Sequence, residues 1–231
     1  MHLSDRTCSA NSRENIGLLD TLDAEMDEEA EKFSLIAFQC VTRGAPNACV
    51  IADMPFMSYQ ASENKAILNA GRFIQEGGAQ AVKIECHPSL IPLITRITAI
   101  GIPVIGHIGL TPQSVYQFGG YHKQGKSQQE SMALIELAKD LQTAGCFAIV
   151  LECVPEQLAK DMSALLTIPT IGIGAGPHCD GQVLVTHDLM GLTPHPVPSF
   201  VKQYAQLRDS MKACIHQFKQ EVETSVFPKS T

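Results

Sequence analysis

Cys49-Val50-Ile51-Ala52-Asp53-Met54-Pro55-Phe56 is an apolar run that ends on a carboxylate and is stopped by a proline. It reads as a buried strand that delivers one charged group to its C-terminal end. The same grammar recurs downstream. Ala81-Val82-Lys83-Ile84-Glu85 ends on Lys83 and Glu85, Pro103-Val104-Ile105-Gly106-His107 ends on His107, and Ala148-Ile149-Val150-Leu151-Glu152 ends on Glu152. In a parallel α/β barrel the C-terminal ends of the strands converge on one face, and that face holds the active site.

Helical spacing between these runs supports the reading. Strands at 48–53, 80–85, 103–107, 146–152, 168–173 and 182–186 alternate with helices at 60–77, 88–99, 128–144 and 155–166, and two more helices cover 197–224. A Gly-bearing loop spans 108–126, and residues 33–42 are apolar enough for a helix ended by Gly44-Ala45-Pro46-Asn47. Strand–helix alternation implies right-handed βαβ units and a parallel sheet, here of six strands.

Charge is uneven along the chain. Residues 1–36 hold nine acids against three bases, within a net charge of −7, so 1–31 reads as a polar, loosely ordered or helical segment preceding a barrel domain at 32–231. The negative balance argues against nucleic-acid binding. Neither a signal peptide nor a membrane span is visible, and the eight cysteines include no Cys-x-x-Cys pair, so a reducing cytoplasm is expected.

Each ionisable strand end has a chemical and a plainer reading. Lys83 and Glu85, two apart on a strand, share a face, as an internal ion pair or as site residues. Asp53 is a turn former or, with Glu85 from the adjacent strand, a hard-oxygen anchor for Mg²⁺. Glu152, flanked by buried residue types, should have a raised pKa, which suits a general base. His107 is a core histidine or a pocket residue. Thr111-Pro112-Gln113-Ser114 reads as a helix start with Thr111 as N-cap. Gly172-x-Gly174-x-Gly176 lacks full dinucleotide spacing and reads as a turn or a place where backbone approaches a ligand.

At these residues the sequence resembles the ketopantoate hydroxymethyltransferase family. The matching stretches are RGAPNACVIADMPFMSY, AVKIE, GIPVIGHIGLTPQSV, FGGYHKQG, FAIVLECVPEQLAK, IPTIGIGAGPHCDGQVLVTHD and PSFVKQYA, in family order over about four-fifths of the chain. The resemblance implies a (β/α)8 TIM-barrel fold, and a Mg²⁺-dependent transfer of a hydroxymethyl group from 5,10-methylenetetrahydrofolate to 3-methyl-2-oxobutanoate, giving 2-dehydropantoate. It also implies a homo-oligomer, a decamer in the family. Carried over, Asp53 and Glu85 are metal-site acids, Asp53, Lys83 and His107 contact substrate, and Glu152 takes the proton.

The family also has two earlier βα units with a Gly-Asp-Ser segment whose Asp binds the metal. No Gly-Asp-Ser occurs here, and Cys86-His87 stands where glycine usually follows the acid. The expectation is therefore a barrel incomplete at its N-terminus. The alternative function is a truncated, inactive homologue that binds ligand or partner subunits without turnover. A third reading, another Mg²⁺-dependent carbon–carbon lyase of the phosphoenolpyruvate-mutase-like barrel group, is disfavoured by the detail of GHIGLTPQS and LECVPEQLA.

Overall fold

Strict alternation along the strands decides the layering. Ala52, Val82, Ile84, Val104, Ile108, Ile149 and Leu151 belong to one buried cluster, while Ile51, Ala81, Ile105, Ala148, Val150, Ile171 and Ile173 form a second. Successive residues on a strand point to opposite faces, so the sheet buries both. A sheet apolar on two sides needs cover on two sides, which is the usual condition of parallel sheets.

A computed structural model describes residues 28–194 and 196–229. These residues fall into two compact units, divided between Val183 and Leu184. The first runs α1 (Glu28–Gly44), β1 (Ile51–Asp53), α2 (Glu63–Gln75), β2 (Ala81–Glu85), α3 (Ile91–Ala99), β3 (Val104–Gly109), α4 (Val115–Phe118), α5 (Gln128–Thr143), β4 (Ala148–Glu152), α6 (Glu156–Leu165), β5 (Thr170–Ile173) and β6 (Gly181–Gln182). All six strands are parallel and pair in sequence order, β1 through β6.

The helices cover one face. Ala66, Ala70 and Phe73 of α2, Leu93, Ile94 and Ile97 of α3, Leu137, Ala138 and Leu141 of α5, and Leu158, Ala159 and Met162 of α6 are buried in the same cluster as the outward strand residues. Each large apolar side chain among them, fully buried, contributes roughly 1.5–3 kcal/mol. On α1, Phe38 meets Phe73 edge to face at 5.3 Å. α5 starts with a full capping box, Ser127 accepting from the Glu130 N–H while the Glu130 carboxylate accepts from the Ser127 N–H.

Several expectations need correction. The strand expected at 182–186 is only Gly181–Gln182, and Thr186–Leu189 is a short helix, α7. Val183 still donates its N–H to the Gly172 carbonyl at 3.0 Å, and Leu184 and Val185 belong to no strand. In place of two helices over 197–224 there is one, α8 (Leu207–Glu223), because 197–206 is irregular. In that second unit the Tyr204 and Leu207 N–H groups donate to the Leu189 and Met190 carbonyls, which ties the irregular stretch to α7. The loop expected at 108–126 contains a 3-10 turn, Pro112–Ser114, and then α4. The segment 1–27 lies outside the described residues. No helix among the described residues is long and apolar enough to cross a membrane.

Candidate active site

Inward parity places Asp53, Lys83, Glu85, His107 and Glu152 on one face of the sheet, above the apolar layer of Ile51, Ala81, Ile105 and Ala148. The ladder then fixes who meets whom. Asp53 and Lys83 are directly opposed across β1 and β2, and Lys83 Nζ lies 2.8 Å from Asp53 Oδ1. Lys83 Nζ also donates to His107 Nδ1, at 3.2 Å. On β3 and β4, Gly109 is the register partner of Glu152. Because Gly109 offers no side chain, Glu152 leans back toward His107, its Oε2 3.2 Å from Nε2. The contact falls short of a well-aligned hydrogen bond. Gly109 is required there twice over: its φ is +95°, and a Cβ would lie 2.3 Å from the Glu152 carbonyl oxygen.

Burial sets the protonation states. The His107 side chain is 3% exposed, and that desolvation, aided by the Lys83 charge, holds its pKa well below the ordinary value. The ring is therefore neutral. With Nδ1 accepting from the Lys83 ammonium, the ring proton belongs on Nε2, the nitrogen that faces Glu152. Burial likewise raises Glu152 from 4.5 to about 7, against the opposing pull of Lys83. It raises Glu85 to about 8, with the negative charges of Asp53 and Glu152 adding to the effect. Three acids thus share one lysine. Lys83 pairs with Asp53 across the ladder, and its charge also pulls against the rise at Glu85 on its own strand.

Glu85 has a different partner. Both its oxygens accept from the Gln113 backbone N–H, at 3.2 and 3.0 Å. The Gln113 side chain donates to the Met54 carbonyl at 2.9 Å and accepts from the Tyr59 hydroxyl at 2.8 Å. Thr111 does occupy the N-cap position before Pro112, yet its side chain makes no capping hydrogen bond. Gln113 and Tyr59 escaped the sequence reading. The one available signal was the placement of a Gln directly after a proline at the end of an active strand.

The glycine run after β5 holds close packing. A Cβ on Gly176, whose φ is +84°, would come within 2.7 Å of the Glu156 side chain, and one on Gly172 within 3.0 Å of Cys179. A cavity of about 560 Å³ opens beside the charged cluster, lined by Glu85, Cys86, Ile108, Phe118, Leu134 and Leu137 among others. Asp53, Lys83, His107 and Glu152 do not line it, so the chemistry sits at the strand ends and the cavity next to them. Among the described residues no set of three or more His, Cys, Asp and Glu side chains is gathered for a metal. Asp53 and Glu85, two hard oxygen donors on adjacent strand ends, fit a Mg²⁺ ion as a partial donor set. A cation there would offset the burial that chiefly raises Glu85, and with it the smaller repulsion from Asp53.

A parallel α/β sheet that gathers a buried lysine, a neutral histidine and a raised-pKa carboxylate at its C-terminal strand ends has the arrangement that enzymes of barrel type place at that face. Structural likeness agrees on the fold. A Burkholderia cenocepacia J2315 protein described provisionally as a phosphonomutase superposes with a TM-score of 0.55 over 82% of this chain and 78% of its own, at 12% identity. Sequence likeness goes further. Residues 13–230 match the profile of the ketopantoate hydroxymethyltransferase family. The 3-methyl-2-oxobutanoate hydroxymethyltransferase of Carboxydothermus hydrogenoformans is 53% identical over 191 residues, 83% of this chain and 69% of that protein. The Moorella thermoacetica protein of the same name is 48% identical over 213 residues, 92% of this chain and 77% of its own. The chain belongs to the ketopantoate hydroxymethyltransferase family.

Proposed function

We propose that the chain transfers a hydroxymethyl group from 5,10-methylenetetrahydrofolate to 3-methyl-2-oxobutanoate, giving 2-dehydropantoate on the route to pantothenate. The observation that carries this reading is Glu152, a partly buried carboxylate raised to about 7 beside a neutral imidazole and a lysine. A carboxyl group tuned to that range accepts a proton at neutral pH without being held ionised by solvent.

In this reading Lys83 binds the keto acid's carboxylate and stabilises the negative charge that develops on deprotonation. Glu152, whose Oε2 lies 3.2 Å from His107 Nε2, removes the C3 proton. The resulting enolate carbon bonds to the methylene carbon as the bond from that carbon to one folate nitrogen breaks. Water then displaces the second nitrogen to leave the hydroxyl group, and the two freed nitrogens take up the C3 proton and one proton of the water. Asp53 and Glu85 would hold Mg²⁺, which when bound supplies Lewis-acid polarisation of the keto oxygen. The cavity beside Glu85 has room for the folate ring system. A (β/α)8-type architecture incomplete at its N-terminus, assembly as a homo-oligomer and a cytoplasmic location belong to the same proposal.

Deuterium exchange at C3 of 3-methyl-2-oxobutanoate in D₂O with Mg²⁺, followed by proton NMR, tests the first half-reaction without folate. The chain should accelerate exchange and Glu152→Gln should abolish that acceleration. Keto-acid binding without exchange by the unaltered chain would overturn the reading and favour a ligand-binding homologue without turnover.

A further inference from the structure

We infer that Gln113 is a positioning residue for the acid pair, fastened in turn by Tyr59; this rests on the proposed role of Asp53 and Glu85. Its backbone N–H is the donor to both Glu85 oxygens, so the orientation of that carboxylate follows the position of one peptide group. That peptide lies in a 3-10 turn whose N-cap side chain makes no hydrogen bond to it. The turn is held instead through the Gln113 side chain.

The Gln113 amide group donates to the carbonyl of Met54, the residue after Asp53, and the Tyr59 hydroxyl and Gln60 amide donate to its oxygen at 2.8 and 3.3 Å. One residue thus links the chain after β1, the acid at the end of β2 and the loop after β3. The β1 side is itself locked. Ser58 Oγ donates to the Pro55 carbonyl, and Asn69, 5% exposed on α2, donates to the Ser58 carbonyl. Tyr59 is 2% exposed, so its hydroxyl depends on protein acceptors. Two acids on separate strand ends can serve one small ligand only if their spacing is fixed, and Gln113 links those ends through its backbone N–H to Glu85 and its side-chain amide to the Met54 carbonyl. Partners of this kind, one step removed from the ligating atoms, typically affect metal affinity by about 10–100-fold.

The test uses the full chain as Gln113→Ala and Tyr59→Phe, in two measurements. In the first, amide hydrogen exchange at position 113 reads the bond to Glu85 directly and needs no metal. Gln113→Ala should speed that amide by about tenfold or more, while amides of β3 and β4 keep their protection. A uniform rise across the sheet, or no change at 113, overturns the proposal. In the second, calorimetric Mg²⁺ titration with 3-methyl-2-oxobutanoate should show affinity falling by about 10–100-fold in Gln113→Ala and by less in Tyr59→Phe, which keeps the Met54 and Glu85 bonds. Wild-type affinity in Gln113→Ala also overturns it. If the unaltered chain binds no Mg²⁺, the metal reading of Asp53 and Glu85 fails, and the exchange measurement still decides whether Gln113 holds Glu85.

Discussion

Replacing Glu152 with Gln should stabilise the protein at alkaline pH while removing its base. The folded-state pKa of about 7, against an ordinary 4.5, means that the folded chain keeps this proton where the unfolded chain has lost it. Between these two values the folded state binds more protons, so stability falls as pH rises through the window, and the loss is complete above about pH 7. A rise of that size corresponds to about 3 kcal/mol. The side chain retains 14% exposure, and an uncharged amide still has to be buried, which brings the expected gain to about 2 kcal/mol. Removing the Glu152 charge also relieves Glu85, in the same direction. Urea denaturation followed by circular dichroism at pH 5, 6, 7 and 8 reads the effect. Glu152→Gln should match the unaltered chain near pH 5 and exceed it by about 2 kcal/mol at pH 8. An advantage no larger at pH 8 than at pH 5 would refute the claim that burial holds this carboxyl group protonated.

Lys83→Met should be destabilising by about 3–5 kcal/mol at pH 8, because it breaks a partly buried ion pair with Asp53 and takes the one lysine away from three neighbouring acids. A loss under about 1 kcal/mol at pH 8 in urea titration would count against the pairing. Gly109→Ala should cost about 3 kcal/mol and lower the melting temperature by roughly 10 °C, since it combines a φ of +95° with a 2.3 Å approach to the Glu152 carbonyl. Gly71→Ala, in α2 with nothing within 4 Å of the new methyl group, is the control and should melt at or above the starting temperature.

The strand ends were legible because burial and charge leave opposite marks on a sequence. An apolar run that closes on Asp53, on Lys83 and Glu85, on His107 or on Glu152 is incompatible with a solvated helix or an exposed loop, and period-two alternation then puts these groups on one face. Pairing between strands was not legible. That Lys83 faces Asp53 and not Glu85 follows from the β1–β2 register, which no local pattern records. Gln113 was hidden for a related reason: its role combines a backbone N–H, which every residue but proline has, with a side-chain reach to residues 54 and 59 in sequence. The short β6 failed differently. Val183, Leu184 and Val185 have strand-type side chains, yet the residues from Thr186 turn helical, so local preference gave way to the chain's path.

The alternation of the two buried clusters also limits how this chain can change over generations. Substitution on either face exchanges one side chain and leaves the rest in place. Losing or gaining a single residue inside β2 would turn Lys83 and Glu85 toward α2 and α3 and bring Ile84 into the mouth of the site. Length variation in this family should therefore gather in the connections beyond Phe56 and around Tyr121, and the strands should keep their residue count even where their residues differ.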